Sequence, residues 1–238
     1  MNNIALVFTC EHAVDTVPER YSALFESFQE LLATHRGIDF GALDIARHLH
    51  EHIPSDLMEI TITRLLIDCN RSIKNRDFFS EVSMNLPVPA KQELINQYYV
   101  PFRTKVEQCI SHHIAEGRKV WHFSIHSFTP IMNGIVRNAD IGFLYDPRRP
   151  SEKKLAQLWR EEIKKQCPDY RIRMNYPYTG ISDGFTTALR KKFPDEVYLG
   201  MEVESNQALT QVPETLTILK NVLCTSLIEV INARVMLN

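Results

Sequence analysis

The chain of 238 residues carries 27 Lys plus Arg against 29 Asp plus Glu, a formal charge of -2, with 44% hydrophobic and 24% charged residues. That composition supports one well-filled core and excludes disordered and collagen-like architectures; without a cationic surplus no field is available to hold a polyanion, so nucleic acid is not an expected partner. The apolar run Ile4–Phe8 is too short for a signal segment, and no stretch approaches the roughly 18 uncharged residues of a membrane helix, so a cytoplasmic location without a membrane partner is expected.

Short apolar runs that stop at polar or turn residues predict five strands, and three- to four-residue apolar spacing between them predicts helices. The first strand, Ile4–Thr9, stops at Cys10-Glu11-His12 and delivers a carboxylate and an imidazole to its end. Asp39 then precedes a helix marked by Phe40, Leu43, Ala46 and Leu49 with His50, as a cap or first-turn residue. The second strand, Leu57–Thr63, runs into Arg64-Leu65-Leu66-Ile67-Asp68-Cys69-Asn70-Arg71, whose two guanidinium forks suit bidentate carboxylate binding. A long helix follows through Leu94, Tyr98, Phe102, Val106 and Ile110, with a kink expected at Pro101. On it, His112 and His113 face different directions and read as surface residues.

The third strand, Lys119–Ile125, stops at His126 shortly before Pro130, which cannot donate to a strand ladder. Arg137 follows Gly134 in a turn from which it can reach the same cleft. After the fourth strand, Asp140–Tyr145, come a helix at Leu155, Leu158 and Ile163 and a loop, Tyr176-Pro177-Tyr178-Thr179-Gly180 with Asp183-Gly184, suited to shaping a pocket. The fifth strand, Tyr198–Val203, places Glu202 and Glu204 two residues apart and therefore on one face. The chain closes on an apolar helix, Leu216–Val230, that suits either core or interface.

Strands alternating with helices predict an α/β fold in one domain, 1–238, with a central mostly parallel or mixed sheet flanked by helices. Chemistry in such sheets gathers at the carboxyl edge, where His12, His126 and the Glu202/Glu204 pair end their strands. Two histidines and a carboxylate with an open fourth position form a common hydrolytic zinc set, with a further glutamate as base. The five cysteines are scattered without CxxC spacing and read as buried or half-buried thiols. Cys10 near His12 and Ser127 beside His126 are the weaker nucleophile candidates, the latter lacking a G-x-S-x-G elbow. No P-loop or GxGxxG pattern supports a nucleotide.

Taken in order, TCEHAVDTVPERY (9–21), HRGIDFGALDIARHL (35–49), TRLLIDCNRS (63–72), SIHSFTP (124–130), NADIGFLYDP (138–147), NYPYTGISDGFTTALR (175–190) and GMEVESNQ (200–207) carry a resemblance to the N-formylglutamate amidohydrolases along nearly the whole chain. The resemblance implies a fold similar to zinc carboxypeptidases and phosphorylases, one zinc ion held by His12, Asp39 and His126, and Glu204 as the catalytic glutamate. Glu11, beside His12, competes with Asp39 for the middle ligand. Asn70 and Arg71 resemble the pair that holds a substrate carboxylate, helped by Arg137 or Arg64. The implied partner is a small N-acyl acidic amino acid, N-formyl-L-glutamate, cleaved to formate and L-glutamate. Other N-acyl amino acids, small peptides, or a metal- or carboxylate-binding module without turnover are the alternatives.

Overall fold

The computed structural model describes residues 4–235. Its strands are β1 (Ile4–Cys10), β2 (Asp56–Glu59), β3 (Lys119–Phe128), β4 (Ile131–Met132), β5 (Ile135–Val136), β6 (Ile141–Leu144), β7 (Ile172–Met174) and β8 (Tyr198–Asn206). The helices are α1 (Gln29–Leu32), α2 (Ala42–His52), α3 (Val88–Leu94), α4 (Val100–Ala115), α5 (Pro150–Gln166), α6 (Phe185–Arg190), α7 (Gln207–Thr210) and α8 (Pro213–Val235). Six strands form one sheet in the order β2-β1-β3-β8-β6-β7. The run from β2 to β8 is parallel, and β6 turns antiparallel to β8. The α/β fold with a mostly parallel sheet between helices is therefore as the sequence indicates.

The central strands β1, β3 and β8 are covered on both faces, which is why they read as near-continuous apolar runs. Alternation along β3 sorts its side chains. Phe123 meets Trp159 of α5, while its neighbour His122 faces Phe185 of α6. The His122 face carries polar residues deep into the core, each with a partner: His122 lies 2.8 Å from the Thr9 hydroxyl and 2.7 Å from that of Tyr198, and Ser124 donates to Glu11. On the opposite face α8 packs against α5 and α2, burying Leu219, Leu223, Leu227 and Val230, with the Trp159 indole donating to Ser226 at 2.8 Å. Over Pro213–Ala233 this helix is long and apolar enough to cross a membrane; a count of uncharged residues passes over it because Glu214, Lys220 and Glu229 interrupt the run.

Several element boundaries differ from the sequence reading, each for a local reason. The second strand is Asp56–Glu59 rather than Leu57–Thr63, because its one neighbour among the described residues, β1, ends opposite Glu59 at Cys10. Beyond that point the segment folds back, with the Thr63 N–H donating to the Thr16 carbonyl at 2.8 Å. The third and fifth strands run further than expected, since β3 and β8 pair with each other as far as Phe128 and Asn206. His126 and Glu204 consequently stand on paired strand rather than on loops. The short edge strand β7 and the β4–β5 hairpin carry too few residues to show a period. At α2 the helix begins at Ala42, not directly after Asp39, because Gly41 adopts φ 73°, a left-handed turn open to glycine. That turn takes Phe40 out of helical phase, so the buried face is Ala42, Ile45, Ala46 and Leu49. The kink expected at Pro101 appears one turn earlier as a π-helical turn, Ile95–Tyr99, where the Val100 N–H reaches back to the Ile95 carbonyl; the widened turn lies just before Pro101, which has no N–H to continue the regular ladder. His113, read as a surface residue, is mostly covered and lies 2.6 Å from Asp56, whereas His112 is exposed.

Candidate metal centre and active site

Parallel pairing of β1, β3 and β8 brings their carboxyl ends side by side, with His126 directly opposite Glu204. His12, two residues past the end of β1 at Cys10, reaches His126 with ring centres 5.0 Å apart. Asp39 enters from the loop before α2, its N–H donating to the His12 carbonyl at 3.1 Å. It makes no helix cap. Instead its Oδ2 stands 3.3 Å from His12 Nδ1 and 2.9 Å from His126 Nδ1, and all three side chains are buried.

The remaining nitrogen of each imidazole is already engaged. His12 Nε2 lies 2.8 Å from Asp68 Oδ1, a carboxylate that can only accept, so Nε2 carries the proton and Nδ1 the lone pair. Ser124 gives its single hydroxyl proton to Glu11 at 2.7 Å, leaving its oxygen to accept from His126 Nε2 at 2.8 Å. In the neutral ring His126 Nδ1 then also presents a lone pair. Two imidazole lone pairs and a carboxylate oxygen converging in a buried space repel one another unless a cation or an additional proton lies between them. The donor set, two nitrogens and one oxygen with carboxylates orienting both rings, fits a divalent ion such as zinc. Glu11, the competing ligand, meets the other side of His126, at 3.3 Å from Nε2, and belongs to the shell behind the ring.

Electrostatics follow from the same contacts. Burial opposes ionisation of Glu11, yet the hydrogen bond and charge of His126, with Ser124, outweigh it and hold the carboxyl at about 2. Asp39 and Asp68 are likewise held well below the carboxylate range against their burial, by His12 and Arg64 together with His126 at Asp39 and Arg71 at Asp68. Arg64 bridges the two, donating to Asp39 at 3.3 Å and to Asp68 at 2.8 Å. Glu204 behaves oppositely. Burial pushes it up to about 8, with Asp39 and Glu202 adding like charge and His126 offsetting part of the rise. Its Oε2 has no hydrogen-bond partner among the described residues.

His12, Asp39, Arg64, His126 and Glu204 line a cleft of about 140 Å³ together with Asn70, Arg71, Ser127, Glu202 and the 178–184 loop. A larger hollow of about 710 Å³ at the amino ends of the strands is lined by Ile4, Lys119, Trp121 and Leu199; the histidine–carboxylate chemistry lies at the other edge. Arg71 stands at the mouth of the cleft, donating to the Asp183 carbonyl at 2.6 Å, and the Asn70 side-chain Oδ1 accepts the Phe185 N–H at 2.7 Å, fixing the start of α6. Glu202 lies on the same face as Glu204 and accepts from Thr186 at 2.7 Å. Gly142, opposite Glu204 on β6, permits the loop to approach: a Cβ there would stand 2.0 Å from the Tyr176 carbonyl oxygen. Arg137 is not brought into the cleft with the others. It stacks over the Tyr178 ring at 4.9 Å and donates to the Tyr178 hydroxyl at 3.1 Å, supporting the cleft wall from outside. Cys10 is fully buried, and burial next to Glu11 raises its thiol well above the usual range, leaving it a poor nucleophile.

Sequence reasoning missed Asp68 as a partner of His12, although a carboxylate directly after the apolar run Leu65–Ile67 and flanked by two arginines is itself a signal of an engaged charge. It also gave no role to Ser124, whose place two residues before His126 on one strand puts both on the same face.

No protein of curated function matches the sequence. Among solved structures, a gene product of Agrobacterium tumefaciens is 28% identical, covering 96% of this chain and 92% of its own, with a TM-score of 0.78. An N-formylglutamate amidohydrolase from Ralstonia eutropha JMP134 shares the fold at a TM-score of 0.74 and 18% identity, over 96% of this chain and 93% of that one. The family model for N-formylglutamate amidohydrolase matches residues 4–210, a span that includes every residue of the cleft. The chain therefore belongs to the N-formylglutamate amidohydrolase family, enzymes that hydrolyse an amide bond.

Proposed function

We propose that the protein is a zinc-dependent amidohydrolase that cleaves the formamide bond of an N-acyl acidic amino acid, N-formyl-L-glutamate first among them, to formate and L-glutamate. The observation that carries this reading is Glu204: a buried carboxyl with an unpartnered oxygen, facing a cluster of His12, Asp39 and His126 whose lone pairs converge. His12, Asp39 and His126 would hold the ion, which when bound acts as a Lewis acid and makes water a stronger nucleophile at neutral pH. A divalent charge at that cluster favours the ionised form of Glu204, returning the carboxyl to a proton acceptor.

Glu204 takes a proton from the attacking water as the new C–O bond forms at the formyl carbon. The same carboxyl then passes that proton to the amide nitrogen as the C–N bond breaks, and the water's remaining proton goes to the freed amine, so that formate and an ammonium group leave and Glu204 is regenerated. Asn70 and Arg71, at the cleft mouth, orient the substrate carboxylates, converting binding energy into alignment of the scissile bond. Arg64 is committed to Asp39 and Asp68 and serves the cluster rather than the substrate. A cytoplasmic site for this reaction accords with the five free cysteines.

The test is a panel of N-formyl-L-glutamate, N-formyl-L-leucine, N-acetyl-L-glutamate and a dipeptide, assayed for released acid and amine with the wild type and Arg71→Ala. Highest kcat/KM for N-formyl-L-glutamate, with the variant losing that preference over N-formyl-L-leucine, is expected. Equal rates for the acidic and apolar formyl substrates in the wild type would contradict the assignment of Arg71 to a substrate carboxylate.

A further inference from the structure

On the helical face away from the cleft lining, His48 and His52 stand one turn apart on α2, and Cys224 meets them from α8. One ring nitrogen from each histidine and the Cys224 sulfur all lie within 4.8 Å of one another. We propose that this trio is a second metal site, separate from the catalytic cluster, that takes a borderline-soft divalent cation, zinc foremost.

Three observations support it. First, spacing of four residues on a helix puts two side chains on one face, and the two rings are 4.2 Å apart centre to centre. Second, the exposed ring is oriented: His52 Nδ1 lies 2.8 Å from the His48 carbonyl oxygen, which can only accept, so Nε2 carries the lone pair. Orientation of one imidazole nitrogen by a protein acceptor is the usual support of a metal-binding histidine. Third, the exposure is graded: Cys224 is buried, His48 half-buried and His52 exposed, so an ion enters from solvent and meets the soft sulfur on the inside.

Zinc bonds of about 2.0 Å to nitrogen and about 2.3 Å to sulfur separate tetrahedral ligand atoms by roughly 3.3–3.7 Å, a spacing that small shifts of the side chains from their present separations within 4.8 Å reach. Binding converts the Cys224 thiol to thiolate, releasing one proton to solvent, and leaves water as the fourth ligand. The occupied site would staple the carboxyl end of α2 to the middle of α8. A comparable group, Asp56, Cys109 and His113, lacks this logic, because His113 is already paired with Asp56 at 2.6 Å and its Nδ1 has no orienting partner.

Cobalt(II) titration of the chelator-stripped full chain tests the proposal, since only a sulfur ligand gives a thiolate-to-cobalt charge-transfer band in the near ultraviolet, and the catalytic cluster contains no sulfur. The band is expected to saturate at one equivalent, to vanish in Cys224→Ser and in His52→Ala, and to persist in Cys109→Ser. His52 is exposed, so its variant does not endanger the fold. Absence of the band in the wild type, or its survival in both Cys224→Ser and His52→Ala, would overturn the proposal.

Discussion

Glu204 combines two features that are costly in a folded protein, a buried carboxyl and an oxygen with no partner. Such a cost persists where the group serves chemistry. Replacing Glu204 with Gln keeps the shape and removes the proton acceptor, so kcat is expected to fall by about 10²–10⁴-fold while zinc content stays unchanged; near-wild-type turnover would remove Glu204 from the role of base. Asp68 acts one step back, by holding His12 in the tautomer that presents Nδ1. Asp68→Asn is expected to weaken metal affinity about 10–100-fold, measured by competition with a chromophoric chelator, and unchanged affinity would contradict its positioning role. His12, Asp39, His126 and Glu204 can be picked out of the sequence because they stop apolar runs or repeat a family motif. Asp68, Ser124 and the inward turn of Glu11 depend on which hydrogen-bond partner each finds across the sheet, a tertiary fact that no local pattern encodes.

At the scale of elements, the site exists because parallel pairing of β1, β3 and β8 brings their carboxyl-terminal segments side by side. That much was readable, since apolar runs of the right length terminate at histidine or glutamate. Less readable was how far β3 and β8 continue, because their mutual pairing, not a change in composition, sets the endpoint. The same pairing buries His122 between Thr9 and Tyr198, and burial pushes its imidazole down to about 4. The ring is neutral in the native state and takes up a proton near 6.5 when the chain unfolds. Its contribution to stability is therefore complete above about pH 6.5 and lost as pH falls towards about 4. Glu204 and His126, raised in the metal-free protein, act with the opposite sign, so His122 is isolated by difference. Urea-unfolding free energies are expected to show the wild type losing stability relative to His122→Leu across that window, and a pH-independent difference would contradict the neutral buried ring.

Taken as a whole molecule, the fold separates its tasks. The carboxyl edge of the sheet gathers the cleft, the α4–α6 side packs over the polar ladder of β3, and α2, α5 and α8 close the other face with apolar side chains. The sequence conveyed the α/β class through alternation of strand and helix patterns, but not the place of β6 and β7 beyond β8, because strand order leaves no mark on local periodicity. The most direct test of the zinc amidohydrolase assignment is formate release from N-formyl-L-glutamate by the purified chain before chelation, after chelation and after zinc is restored, with metal content measured at each stage. Activity that disappears with the metal and returns with zinc is the expected result; formate release that persists in protein shown to be free of metal would contradict it.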